Sequence, residues 1–477
     1  MNLHFNPSLF SLFTNLEGLS LFPISIVPSP SGLVGLRRLK VLAMLKNKEE
    51  QELQHLPEHV VLNILCRLPV KSLIRFTCVS KRWRSLIISD PQFGNSHFQL
   101  AASHLRHSVL ISAGTTPPEM LRSRFLSLSE DNLLNRNLNW PRPSESYSDI
   151  LVIGSCNGLL VLGYCNSHRN GLSSLPLGQR YCRYFERLVI WNPSTGFFRE
   201  IPCPNFQMGM VKLREAKQER EMSRVYYGFG QVSASDDDYK LVVIQSLGDF
   251  MVVHVFSVRA NCWKIVKACY LSSYRLWSEE LGTYSNGAIH WVSNREPGIF
   301  EPPVYAFDLA NEEFREMPLP VLSRNEDGME MTQIRTQVLL GGCLCVMFQD
   351  VTFQDTKKYT EFWVMKEYGM PESWVKLFGF NVHDLPDVFD SLYKCHFWDP
   401  IFIAEDGTVV IKLRSWSELI WVKCRKEEKP VCTIRYRLEE VLGYKYGFDA
   451  ILYDETLVSI PEDYGDSCGL RLRGLKI

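Results

Sequence analysis

No CxxC pair occurs among the 14 cysteines, which run from Cys66 to Cys468; the tightest spacing is Cys343-Leu344-Cys345, inside the apolar run Leu339 to Phe348. A thiolate zinc site wants paired CxxC spacings, and a secreted disulfide framework wants denser cysteines in a shorter chain. Reduced thiols packed as small hydrophobes are therefore expected. Usable glycosylation sequons are missing too: Asn6-Pro7-Ser8 and Asn192-Pro193-Ser194 both carry the disqualifying proline. The two absences point to an intracellular chain, in cytoplasm or nucleus. Charge of one sign is also lacking. With 52 basic and 53 acidic side chains the formal net charge is −1, which argues against coating nucleic acid or anionic membranes.

Motifs of catalysis are equally scarce. There is no GxxxxGK[ST], HExxH, GxSxG or EF-hand loop. His104-Leu105-Arg106-His107 has HxxH spacing without a carboxylate at helical spacing, so it reads as ordinary connector. Asp236-Asp237-Asp238 lacks alternating ligand spacing and reads as a hairpin turn. His254 and His290 alternate with apolar residues and read as core or edge histidines, not general bases. The tryptophans are expected as core anchors. No cofactor, metal or catalytic residue is called for.

What is present is a folded chain: 477 residues, 45% hydrophobic and 22% charged, enough for about three folding units or one large repeat domain with extras. Its first 43 residues are rich in Leu, Ser, Phe and Pro, with Glu17 as their only acid and Arg37-Arg38 near their end. That is a weak transit-peptide composition, and Pro23, Pro28 and Pro30 break any apolar run long enough to span a bilayer. Residues 1–50 are expected to be a disordered extension, of which residues 1–43 lie upstream of a second candidate start at Met44.

From Leu56 the text becomes helical. Pro57 suits a first helical turn, and Val61, Ile64, Leu65 and Leu68 fall on one apolar stripe. Pro69 stops that helix, Leu73 and Phe76 mark a second, and Ser80 caps a third carrying Trp83, Leu86 and Ile87. Asp90-Pro91 is expected to end the unit. Three helices in about forty residues bury little surface, so part of the stripe is expected to face another protein. Between Leu56 and Asn95 lie Arg67, Lys71, Arg75, Lys81, Arg82 and Arg84 against Glu58 and Asp90, six minus two, or +4. Such asymmetry would steer an acidic partner. Helix-turn-helix binding to DNA is the competing reading; no Asn or Gln lies between Lys81 and Ser89 to read a base edge.

These residues, and above all the run LPVKSLIRFTCVSKRWRSLI, resemble the F-box of the large plant family that also carries an F-box-associated, kelch-like domain. The resemblance implies docking on the Skp-type adaptor of a cullin–RING ubiquitin ligase. Carried over by position, the contact would use Leu56, Pro57, Ile64, Leu65, Leu68, Pro69, Leu73, Val79, Lys81 and Trp83. For each residue the competing role is packing inside the module.

Residues 99–149 read as a connector with one strand at Val109 to Ile111. Beyond it the chain is β-rich and repeats itself: LVIWNPSTGFFREIP from Leu188, VHVFSVRANCWKIV from Val253 and VYAFDLANEEFREMP from Val304. Each pairs two aromatics seven positions apart (Trp191 and Phe198, Phe256 and Trp263, Phe307 and Phe314), the spacing of two strands joined by a tight turn. Looser copies fall at Trp363 to Trp374 and around Trp421. Asn157-Gly158, Asn286-Gly287, Gly341-Gly342 and Asp406-Gly407 read as turns before strands. The marker aromatics Trp191, Phe256, Phe307, Trp363 and Trp421 are 65, 51, 56 and 58 residues apart. A period near ~50 indicates a β-propeller, here of about six blades, with a pair of β-sandwiches as the alternative.

The loops Tyr164 to Glu186 and Val211 to Arg224 account for the long early repeats, the second being a charged, solvated excursion. Ile153 to Leu160, Trp191 to Gly196, Tyr227 to Gly230 and Asp237 to Val242 are similar to segments that define the F-box-associated domain.

The expected organisation is multidomain, α plus all-β: a three-helix F-box at 51–98, a connector at 99–149, a kelch-type propeller-like substrate domain at 150–465 and a tail at 466–477. The resemblance implies a non-catalytic adaptor that holds a target protein for ubiquitination on other subunits, with no nucleic acid or membrane partner. Alternatives are a kelch-type propeller enzyme or glycan binder, and an F-box scaffold acting outside ubiquitination.

Overall fold

The computed structural model describes residues 58–101, 107–113, 123–127, 135–137, 141, 149–165, 185–202, 224–234, 236–247, 250–270, 281–292, 304–320, 333–338, 342–349, 359–381, 384, 398–404, 406–413, 418–424, 430–437 and 448–461. The charged run from Val211, His104 and the expected N-terminal extension and C-terminal tail lie outside these residues, apart from Arg224. The chain divides into two compact units, Met1–Ile64 and Leu65–Ile477. The described part of the first lies in helix α1 (Glu58–Leu65).

The second unit opens with α2 (Val70–Phe76), α3 (Lys81–Arg84), a π-helical turn (Ser85–Ser89) and α4 (Pro91–Ala101). Helix α4 corrects the expectation that Asp90-Pro91 ends the helical module. Asp90 Oδ1 accepts from the backbone N–H of Gln92 at 2.9 Å and of Phe93 at 3.2 Å, and Pro91 at the first position has no N–H to leave unpaired. The same dipeptide that stops one helix starts the next.

Twenty-four strands follow, in six four-stranded antiparallel sheets among the described residues. Five are sequential meanders: β4–β7 (Asp149–Cys156, Leu159–Cys165, Arg187–Trp191, Phe198–Ile201), β8–β11 (Arg224–Ser233, Asp236–Leu247, Phe250–Ser257, Cys262–Tyr270), β12–β15 (Thr283–Ser285, Ala288–Val292, Val304–Asp308, Phe314–Met317), β16–β19 (Gln333–Val338, Leu344–Gln349, Tyr359–Met365, Trp374–Asn381) and β20–β23 (Trp398–Ile403, Thr408–Leu413, Glu418–Lys423, Val431–Arg437).

The sixth joins the two ends of the domain. Its strands run in the order β24 (Phe448–Asp454), β1 (His107–Ala113), β2 (Ser123–Ser127), β3 (Asn135–Asn137). Register pairs His107 with Asp454 and Ala113 with Phe448. The expected connector therefore holds three strands, not one. Asn135-Arg136-Asn137 is depleted in β-formers and is paired as an edge, which propensity alone does not reveal.

The first strands of the sheets neighbour one another in a closed series, β4 beside β8, β8 beside β12, then β16, β20, β24 and β4 again. This ring excludes the sandwich alternative. The core lies between neighbouring sheets. In β17 every residue is buried: Cys345 and Met347 pack towards β20–β23, and Leu344, Val346 and Phe348 towards β12–β15. Side chains alternate across a strand, so a strand covered on both faces is apolar at nearly every position, with Gln349 the polar exception at the end of β17. That is why these strands read as unbroken hydrophobic runs.

The aromatic spacing has a structural cause. Trp191 faces Phe198, Phe256 faces Trp263, and Phe307 faces Phe314 as cross-strand partners. The Phe307 and Phe314 rings meet edge to face with centroids 4.9 Å apart, an arrangement worth about 0.5–1.5 kcal/mol beyond area burial. The looser copies carry register shifts, at Phe362/Trp363 and at Trp421/Val422, which displace the facing residue. Asn157-Gly158 and Asn286-Gly287 both take positive φ at both residues, the backbone of a two-residue hairpin.

Candidate partner-binding site

The helical module divides its residues between packing and display. In α2, Val70 and Leu73 are buried, Leu73 completely, while Lys71 and Arg75 point outward. Pro69 precedes α2 with extended backbone and its carbonyl accepts from the N–H of Ser72 and Leu73. At the start of α3 Ser80 is extended, and its Oγ accepts from Trp83 N–H at 3.1 Å, so the capping role read for it holds. Trp83 packs edge-on against Phe76, ring centroids 5.6 Å apart.

Of the ten residues carried over by resemblance, Leu56 and Pro57 lie outside the described residues. Leu65 and Leu73 are buried. Ile64, Leu68 and Trp83 are half-buried, and Pro69, Val79 and Lys81 are exposed. Val79 is 44% exposed, a large apolar side chain left in water beside Lys81, Arg82 and Arg84, all exposed. The structure thus brings an apolar and basic display to the α2–α3 link.

Helix α4 is the part that the sequence reading missed. It packs Phe93 and His97 inward, and His97 Nε2–H donates to the Leu68 carbonyl at 2.8 Å. Burial lowers the pKa of this imidazole, with the bond to Leu68 opposing. The helix then meets the β-domain. A Cβ at Gly94 would lie 2.8 Å from the Leu457 carbonyl oxygen, Asn95 Nδ2 donates to Asp237 Oδ1 at 3.1 Å, and Phe98 joins the core between the β4–β7 and β8–β11 sheets. The available signal was Asp-Pro followed by Phe93, His97 and Phe98, a cap and an apolar stripe.

The segments singled out in the β region are structural. Asn192 is fully buried; its Oδ1 accepts from Ser194 N–H at 2.8 Å, and its Nδ2 donates to the carbonyls of Thr456 at 3.2 Å and Val458 at 2.9 Å. Asp236-Asp237-Asp238, expected as a hairpin turn, instead opens strand β9, and Asp238 orders the neighbouring β10–β11 turn: its Oδ2 accepts from Ser257 Oγ and its Oδ1 from Arg259 N–H. His290 is a core histidine, Nδ1–H donating to the Thr283 carbonyl at 3.0 Å while Tyr368 OH donates to Nε2 at 2.7 Å. Burial pushes its pKa down to about 4.

A model of the F-box domain matches residues 53–93, and one of the F-box associated beta propeller domain matches residues 134–460. The chain belongs to the F-box-associated β-propeller family. It is a plant F-box protein, with relatives in Arabidopsis thaliana. F-box protein CPR1 of that plant is 27% identical over 402 residues, covering 80% of this chain and 84% of the relative. An F-box/kelch-repeat protein is 25% identical over 427 residues, covering 86% and 96%. Among solved structures, TolB from Acinetobacter baumannii is 11% identical over 72% of this chain and 71% of its own, with a TM-score of 0.37. In this F-box protein the F-box match ends at Phe93, the third residue of α4.

Proposed function

We propose that this F-box protein is the target-recognition subunit of a Skp–cullin–F-box ubiquitin ligase. The F-box docks on the Skp-type adaptor, the six sheets form a six-bladed propeller of kelch type, and the propeller holds a target protein. The chain itself performs no chemistry; it supplies proximity between target lysines and a ubiquitin-charged enzyme held by the cullin–RING scaffold. Cytoplasm or nucleus is the compartment in which such a partner set is met.

The observation that carries this reading is the display of the helical module: exposed Val79 and Lys81 with half-buried Trp83 at the α2–α3 link, and half-buried Leu68 with exposed Pro69 at the start of α2, in a module with excess positive charge. Desolvating apolar anchors ringed by charge is how compact interfaces gain affinity and orientation. The test is a pull-down of the full chain with a Skp-type adaptor, wild type beside a Leu68→Ala/Pro69→Ala double variant. The reading expects binding that the variant loses. A folded wild-type chain that fails to bind the adaptor overturns it.

A further inference from the structure

Residues 455–461 leave β24 and run past two partners. On one side Asn192, fully buried, holds the carbonyls of Thr456 and Val458. Ser194 Oγ accepts from Thr456 N–H at 3.2 Å, and Arg199 donates to the Pro461 carbonyl at 2.7 Å. On the other side the backbone of Leu457, between the two carbonyls that Asn192 holds, is the surface on which α4 rests at Gly94. Val458, Ile460 and Phe98 of α4 share one apolar core. One short strap therefore closes the ring of sheets and seats the helix whose His97 is tied to Leu68.

We infer that Asn192 is a positioning residue for α4: by gripping Thr456 and Val458 it holds the strap on which Gly94 seats, so that ring closure and the attachment of the α2–α4 helices form one coupled unit. The path is contiguous and each link is a named contact, Asn192 to Val458, Leu457 to Gly94, His97 to Leu68. Glycine at position 94 is itself informative. Gly weakens a helix relative to Ala, and the close approach to the Leu457 carbonyl is what it permits. The coupling stands on this geometry alone. Its consequence, that Asn192 sets the aim of a bound target relative to the adaptor, rests on the adaptor reading above.

Hydrogen–deuterium exchange on the full chain tests the coupling. Asn192→Asp keeps the Oδ1 that orders the turn and removes both amide donors. Gly94→Ala leaves the clasp intact and, with a better helix former, drives a methyl into the Leu457 carbonyl. Ser285→Ala, which removes a 2.9 Å bond to the Gly342 carbonyl elsewhere in the ring, is the control. Asn192→Asp is expected to speed exchange at least about tenfold in both 455–461 and α4, because two hydrogen bonds to the strap are lost. Gly94→Ala is expected to speed both segments from the opposite end, because coupling is reciprocal. The control should leave both unchanged.

The inference is overturned if either variant loosens only its own side, or if the control loosens both segments equally. Should Asn192→Asp fail to fold, Gly94→Ala decides alone, and unchanged exchange at 455–461 overturns the coupling. Loss of adaptor binding plays no part in this readout, so a failed adaptor reading and a failed coupling are told apart.

Discussion

Asn192 and Val458 lie 266 positions apart in the chain, and the side-chain amide of one donates to the carbonyl of the other at 2.9 Å. The same side chain caps its own turn through Oδ1, so one buried asparagine satisfies a local loop and clasps the segment that follows the last strand. Replacing it by alanine strands the Thr456 and Val458 carbonyls in a dry interior. Asn192→Ala is expected to cost about 2–4 kcal/mol, the usual range when a buried polar network loses a member. Urea unfolding checks this, and a loss below 1 kcal/mol would show that the clasp is not holding the ring.

Two glycines with the same backbone separate conformational strain from crowding. Gly158 has φ +76° and Gly196 has φ +78°. A Cβ at Gly196 meets nothing within 4 Å, whereas at Gly158 it would lie 2.0 Å from Thr456 Cγ2 and 2.4 Å from the Asp454 carbonyl oxygen. Gly196→Ala should cost only the left-handed penalty, about 1–2 kcal/mol. Gly158→Ala should cost clearly more, about 3 kcal/mol or above, because the neighbour is backbone. Equal melting temperatures for the two variants would refute the crowding argument.

At the helical module, burial divides the predicted contacts into two experimental classes. Leu73→Ala removes a fully buried side chain and is expected to destabilise by about 2–5 kcal/mol. Val79→Asp and Lys81→Glu alter exposed positions and should stay within about 0.5 kcal/mol of wild-type stability, while weakening adaptor binding tenfold or more. Calorimetric titration with a Skp-type adaptor, beside circular dichroism, reads both quantities. Unaltered affinity in the two surface variants would move the interface elsewhere.

Acid should loosen the protein through its buried histidines. His97 and His290 both have folded pKa values below the ordinary 6.5, primarily because burial disfavours the charged ring, and His290 is pushed down to about 4. The unfolded chain therefore takes up protons first as pH falls. Stability is full above about 6.5 and declines below it, for His290 until about pH 4. At 1.36 kcal/mol per pKa unit the His290 contribution is on the order of 3 kcal/mol. Unfolding free energies measured from pH 7.5 to 5, above the carboxylate range, should fall. In a His290→Gln variant the slope should be shallower. A flat profile in the wild type would contradict the burial argument.

Much of the architecture is written locally. Aromatics seven apart became cross-strand partners because the hairpin turn between them spans a few residues, and Asn-Gly pairs took the positive φ that their lack of steric conflict allows. Ser80 capped α3 because the N–H that its Oγ accepts from, that of Trp83, lies three residues away. Helix α4 was misread since Asp-Pro serves equally as stop and start, and only the apolar surface awaiting Phe93 and Phe98 decides between them. Likewise Pro69, Val79 and Lys81 share a motif with Leu65 and Leu73, but a stripe on a helix does not say which of its members another element will cover.

The helical module and the turns were legible in the chain alone, since each depends on residues within a dozen positions of one another, and the propeller-type repeat was legible as the recurrence of such hairpins every 51 to 65 residues. Only the tertiary structure decided that β1–β3 join β24, that Asn192 clasps Thr456 and Val458, and that Gly94 rests on Leu457. Those partners meet across hundreds of positions, where no local periodicity records the pairing and packing alone selects it.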